Sequence, residues 1–119
     1  MEIRKIDYNE AKEFIKDELL IIKPGYEYYG YFRDNELVSA CGVEYKKNHT
    51  RIHCNYTKPE HRRRGYITFL IALLLSNWKG LVKGNCLDSS INIYKNLGFE
   101  IVGTKTYRGR TAYKVEMTL

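Results

Sequence analysis

The sequence predicts an α/β domain built on a mixed, mostly antiparallel β-sheet flanked by helices. Three observations carry this expectation. The chain has 119 residues, 44% of them hydrophobic and 29% charged, a composition that supports one core and a single domain over residues 1–119. Segments of strand-like and helix-like periodicity follow in the order β-α-β-β-β-α-β-α-β-β. The third of three successive strands leads through an apolar helix into the next strand, the one obvious crossover.

Glu2 to Ile6 alternates weakly and reads as a short strand. Asp7 or Asn9 can cap a helix running to about Leu20, with Ala11, Phe14, Ile15 and Leu19 on one face. Lys23-Pro24-Gly25 ends it. Tyr26 to Phe32 and Leu37 to Tyr45 form a hairpin about Asp34-Asn35. Arg51 to Thr57 is the next strand, with Ile52, Cys54 and Tyr56 on one face and Arg51, His53 and Asn55 on the other. Gly65 opens a helix from about Tyr66 to Trp78 that is apolar on almost every side and therefore buried on several. Leu81 to Cys86 is a short strand, and Asp88 or Ser89 caps a helix through Asn96 that Gly98 ends. Phe99 to Lys105 and Thr111 to Thr118 make a last hairpin about Arg108-Gly109.

Composition excludes several classes. With 2 Pro and 9 Gly the chain is neither collagenous nor of low complexity. Its longest uncharged apolar run, Ile67 to Leu75, falls short of the ~18 residues a bilayer span needs. No apolar stretch follows Met1-Glu2-Ile3-Arg4-Lys5, so a signal peptide is not expected and the cytoplasm is the expected location. Cys41, Cys54 and Cys86 are too scattered for a disulfide framework. His49 and His53 sit on a strand about 13 Å apart at about 3.3 Å per residue, too far to share a zinc ion, so no metal is expected.

The net charge of +6 is uneven. Between Lys58 and Tyr66 the chain carries Lys58, Arg62, Arg63 and Arg64 against Glu60 alone. This basic loop runs straight into a helix. The first N–H groups of a helix lack internal partners, and its dipole adds positive potential there. Gly65 lets the backbone come close to a phosphate. Residues 62 to 67 therefore form a candidate phosphate or pyrophosphate cradle, although neither a G-K-[ST] loop nor a G-x-G-x-x-G is present.

Thr57-Lys58-Pro59-Glu60-His61-Arg62-Arg63-Arg64-Gly65-Tyr66-Ile67 resembles the acyl-CoA signature V-x-P-x-x-[QR]-x-x-G-x-[GA] of the GNAT superfamily of N-acetyltransferases. Pro59, Arg62 and Gly65 take the proline, Gln/Arg and first glycine positions. A second block, Ser90 to Glu100, resembles the family segment A-x-x-[LF]-Y-x-x-x-G-F-E through Tyr94, Gly98, Phe99 and Glu100. The resemblance covers about Glu36 to Leu119 and implies the acyl-CoA N-acyltransferase fold of a small single-domain member. It also implies acetyl-CoA as co-substrate. Arg62, Arg63, Arg64, Gly65, Tyr66 and Ile67 would hold the pyrophosphate. The strand containing Ile52, Cys54, Tyr56 and Thr57 would pair its backbone with the pantetheine arm. Two positions depart from the pattern: Ile67 stands where Gly or Ala is usual, and Leu87 where many members place an Asn that contacts the cofactor. Asn85, Asp88 and Ser89 are the polar alternatives to that Asn.

The implied reaction moves an acetyl group from a thioester to a primary amine by direct attack in a ternary complex. The amine must lose a proton and the thiolate must gain one. Tyr94 aligns with the tyrosine that faces the sulfur in many members and is the candidate acid. His53 resembles the strand histidine of arylalkylamine-type members and is the candidate base; Glu44 on the preceding strand is its rival. Arg51 stands where histone-modifying members carry their Glu. Cys54 and Cys86 read as small core residues rather than nucleophiles. Tyr26, Tyr28, Tyr29 and Tyr31 suggest a strand with one side in the core and the other lining a cleft, which Tyr107 and Arg108 can rim. Two other classes remain at this point: a CoA-binding module without turnover, motivated by Ile67 and Leu87, and a protein that meets nucleic acid through Arg62-Arg63-Arg64, for which no motif speaks. The expected partner is an amine, small or protein-borne, without a membrane; the apolar helix hints at a homodimer.

Overall fold

The computed structural model describes residues 2–119, in which β1 (Glu2–Ile6) and α1 (Tyr8–Phe14) precede three strands, β2 (Glu27–Arg33), β3 (Glu36–Tyr45) and β4 (Thr50–Thr57). A 3-10 turn at Pro59–His61 leads to α2 (Tyr66–Leu75), followed by β5 (Leu81–Cys86), α3 (Ile91–Asn96), β6 (Glu100–Tyr107) and β7 (Arg110–Thr118). The strands form one seven-stranded sheet in the order β1-β2-β3-β4-β5-β7-β6. Only β4 and β5 are parallel, joined by the expected crossover through α2; every other neighbouring pair is antiparallel.

Helices cover both faces. Ala11 of α1 and the following Ile15 pack with Ile6, Tyr28, Ala40 and Tyr56 on one face. On the other, Leu70 and Leu74 of α2 meet Val38, Cys41 and Val43, while Ile71, Leu75 and Tyr94 of α3 meet Ile52, Val82 and Val115. Leu70 and Ile71 are fully buried, each such side chain contributing about 1.5–3 kcal/mol. Phe69 and Leu73 on the same helix stay exposed, so α2 buries one broad face rather than its whole circumference.

Turn chemistry matches the sequence where it is local. Asp34 (φ 49°) and Asn35 (φ 66°) are both left-handed, the geometry that tight hairpins favour, and Arg108 (φ 49°) with Gly109 (φ 77°) repeats it. Asp7 caps α1 by accepting the Glu10 N–H at 2.8 Å.

Three helix boundaries differ from expectation. α1 stops at Phe14 rather than near Leu20. Asp17 accepts the Leu19 N–H on its side chain and the Leu20 N–H on its carbonyl, making a turn, and the Glu18 and Leu19 carbonyls are taken by Arg108 and Tyr107. Tertiary partners thus win over helical periodicity. α2 ends at Leu75 rather than Trp78, because Ser76 and Asn77 side chains both donate to the Leu73 carbonyl. α3 begins at Ile91, with Ser90 rather than Asp88 or Ser89 at the cap position.

Candidate active site

The site is organised by a defect in β4. Cys54 has φ 56°, and the register passes from Gly42↔His53 to Ala40↔Tyr56, so Cys54 and Asn55 together oppose Cys41. This bulge inverts the alternation that the sequence suggests. Ile52 stays in the core beneath α2 and α3, whereas Cys54 and Tyr56 join the core on the α1 face. The expectation that Ile52, Cys54 and Tyr56 share one face is therefore corrected, and Asn55 turns to Tyr94 instead of lying beside His53.

Next to the bulge the sheet opens. β4 and β5 pair only through Thr50↔Val82, Arg51↔Lys83 and Ile52↔Gly84. Beyond Ile52 the strands separate around a cleft of about 300 Å³. Its walls are Ile52 to Asn55 from β4, Asn85 to Leu87, Ser89, Ser90 and Tyr94 from the β5–α3 side, Leu19 to Ile21 and Tyr26 from the loop after α1, and Lys105 and Tyr107 from β6. Tyr107 rims the cleft, its hydroxyl donating to the Leu19 carbonyl at 2.7 Å.

Tyr94 is fully buried, its ring held edge-on by Phe99 at 5.1 Å. Burial drives the phenol well above its ordinary range, although the Asn55 hydrogen bond pulls the other way. The Asn55 amide donates to the Tyr94 oxygen. The phenol therefore has its proton free to donate elsewhere. The Asn55 Oδ1 is itself buried and has no partner among the described residues. It is an acceptor left open at the wall of the cleft.

His53 enters the same cleft from the α1 face. Its ring stacks on Tyr26 at 4.2 Å, and its Nε2 lies 3.0 Å from Glu44 Oε1. Burial lowers the imidazole pKa below 6.5, with Glu44 opposing the shift and Arg51 adding to it. The same hydrogen bond holds the Glu44 carboxyl below its ordinary range, helped by Lys46 at 3.4 Å. At neutral pH Nε2–H then donates to a carboxylate and Nδ1 keeps the lone pair. His53 and Glu44, which the sequence leaves as rivals, are a hydrogen-bonded pair.

The remaining candidates divide between the cleft wall and the core. Burial, the leading cause for both, pushes the Cys54 thiol to about 12 and Cys86 to about 11, so neither is a thiolate near neutral pH. Tyr28 and Tyr31 are core residues and Tyr29 bonds Glu27 and Tyr45, so only Tyr26 of that aromatic run reaches the cleft. Of the polar alternatives near Leu87, Asn85 and Ser89 line the cleft. Asp88 instead lies near Tyr113, whose phenol pKa its carboxylate raises.

At its far end β4 runs into the basic loop. Arg62 folds back, its Nε donating to the Thr57 carbonyl at 2.9 Å and its guanidinium lying 5.3 Å above the Tyr56 ring. Thr57 is tied to Ser39 by a 2.8 Å hydroxyl contact. Arg63 (φ 63°) and Gly65 (φ 77°) are left-handed, and Arg62 to Gly65 are exposed. A Cβ on Gly65 would meet nothing within 4 Å, so the space before α2 is open. No side chain caps the first turn of α2. Ile67 packs against both core clusters beneath α2, so its side chain is drawn into the protein and away from that space.

A family model described as Acetyltransferase (GNAT) family matches residues 1–99. The chain belongs to this family. The match takes in the N-terminal third, which the sequence motifs leave loosely fitted. The GNAT fold is also that of many solved structures. An IAA acetyltransferase from Bacillus cereus ATCC 14579 superposes with a TM-score of 0.80 at 13% identity, covering 99% of each chain. A Bacillus subtilis acetyltransferase solved in complex with CoA gives 0.79 at 14% identity over 98% of this chain and 97% of that one. A putative acetyltransferase from Salmonella typhimurium, solved with acetyl-CoA, gives 0.76 at 13% over 100% and 94%. No curated protein sequence matches this GNAT chain. No helix is long and apolar enough to cross a membrane among the described residues.

Proposed function

We propose that the chain is an acetyl-CoA-dependent N-acetyltransferase that acetylates a primary amine by direct attack in a ternary complex. The observation that carries this reading is the entry of His53 and Tyr94 into one cleft from opposite faces of the sheet, where β4 leaves β5. A base on one side and an acid on the other suit a reaction that takes a proton from the amine and returns one to sulfur.

The residues divide the work. β4 beyond Ile52 has no β5 partner, so its N–H and C=O groups are available to a pantetheine arm lying as an added strand. The open Asn55 Oδ1 suits an amide N–H of that arm. The first turn of α2, with Arg63, Arg64 and Gly65, suits the pyrophosphate. His53 Nδ1 accepts the proton the amine gives up as its nitrogen bonds to the acetyl carbon. Tyr94 donates its hydroxyl proton to the sulfur as the C–S bond breaks, and recovers one from solvent afterwards. Positioning the amine and thioester together supplies the remainder of the acceleration.

The test is amine-dependent release of CoA from acetyl-CoA, followed by mass detection of the N-acetyl product. Binding of CoA without release across a broad amine panel would reduce the protein to a CoA-binding module.

A further inference from the structure

Beside the cleft, the uncovered face of β4, β5, β7 and β6 forms a second concavity of about 540 Å³. Alternation assigns its walls. Val82 and Val115 point into the core under α2 and α3, so Lys83, Lys114 and Glu116 project from the opposite face. Arg51 of β4 pairs with Glu44 on β3 and with Lys83 on β5.

Lys46, Arg51, Lys83, Lys105 and Lys114 line the groove against only Glu44 and Glu116. Both carboxylates are committed: Glu116 lies 3.6 Å from Lys83, and Glu44 is held by His53 and Lys46. Arg51, Lys105 and Lys114 have no carboxylate within ion-pair distance among the described residues. Arg51 is instead steadied by Asn85, whose side-chain oxygen accepts from Nη1 at 3.0 Å in the orientation that satisfies both its polar atoms. The groove thus holds cations without counter-ions in a concavity of small-ligand size. Asn85 and Lys105 line both concavities, so the groove is continuous with the cleft that holds His53.

We infer that the groove binds an anionic group, a carboxylate or a phosphate, carried by the small acceptor amine. The inference rests on the acetyl-transfer reading and adds the substrate class to it. An acceptor anchored by its anion at Arg51, Lys105 and Lys114 presents its amine toward the Glu44–His53 pair. A polycation meets net repulsion on this face, where five cations face two carboxylates.

Matched acceptors test the inference: γ-aminobutyrate against n-butylamine for carboxylate, O-phosphoethanolamine against ethanolamine for phosphate, and spermidine as the polycation. The anionic member should lead its pair by about tenfold or more in kcat/KM per free amine at low salt, and the lead should shrink as salt is raised. The pair with the larger ratio identifies the anion. Lys105→Glu with Lys114→Glu, both exposed, should erase the lead in a variant that melts normally. Equal kcat/KM within each pair, or a lead for spermidine, overturns the inference while leaving acetyl transfer standing. Direct titration of the CoA-saturated protein with γ-aminobutyrate and O-phosphoethanolamine by NMR separates the two readings. Shifts at Arg51 and Lys114 without turnover of any amine uphold the groove and overturn the transferase; no shift with either ligand overturns the groove.

Discussion

Tyr94 and His53 are tuned by neighbours on adjacent strands, Asn55 of β4 on one face of the sheet and Glu44 of β3 on the other. Asn55 occupies a lone pair of the phenol, which directs the phenolic proton away from itself. Tyr94→Phe should lower the acetyl-transfer rate by about 10²–10⁴-fold, the usual worth of a general acid, with CoA affinity little changed. A rate equal to that of the parent would leave Tyr94 as packing beneath Phe99. On the other wall, burial lowers the His53 pKa and Glu44 partly restores it. If His53 takes the amine proton as proposed, the unprotonated imidazole is the active form, and kcat/KM should fall as pH drops through a group titrating below 6.5. His53→Ala should remove that limb. Glu44→Gln should move it to still lower pH, because the carboxylate that favours imidazolium is gone. Loss of the limb in Glu44→Gln but not in His53→Ala would transfer the role of base to the carboxylate.

At the scale of elements, the basic loop and α2 act as one unit. Its features were legible in sequence because they are local: a glycine before an apolar helix and arginines beside it. Gly65 is needed for its φ of 77°, while the protein leaves the adjoining space open. Asn tolerates that conformation without adding charge, so Gly65→Asn and Gly65→Asp form a controlled pair. Calorimetry should find CoA binding weakened in both and abolished only in the aspartate variant; equal affinity would remove the phosphates from this loop. Arg62→Glu with Arg64→Glu should likewise abolish binding in a folded protein. The bulge at Cys54 was not legible, since a cysteine carries no signal for positive φ and the bulge is imposed by pairing with β3. Missing it hid the Asn55–Tyr94 contact and misassigned the faces of β4. The short α1 was hidden for a similar reason, because the bonds that stop it come from Tyr107 and Arg108, far along the chain.

Across the whole molecule, β1 to β4 and β5 to β7 are two blocks whose strands are joined in the sheet by only three residue pairs. α2 and α3 bridge them on one face through the cluster of Ile52, Ile71, Tyr94 and Val115. The proposed pantetheine arm would add backbone hydrogen bonds along β4 where the β5 ladder has ended. A ligand at a hundred times its Kd stabilises the folded state by about 2.7 kcal/mol, which for a chain of this size raises Tm by about 10 °C. If CoA fills the gap, the gain should be distributed in a particular way. Amide hydrogen exchange should slow at Asn55 to Thr57 on β4 as well as in the first turn of α2. Protection confined to α2 would mean that only the phosphates are held and that the cleft between the blocks stays empty. Protection on β4 that persists in Tyr94→Phe would separate the binding of the arm from the chemistry at its end.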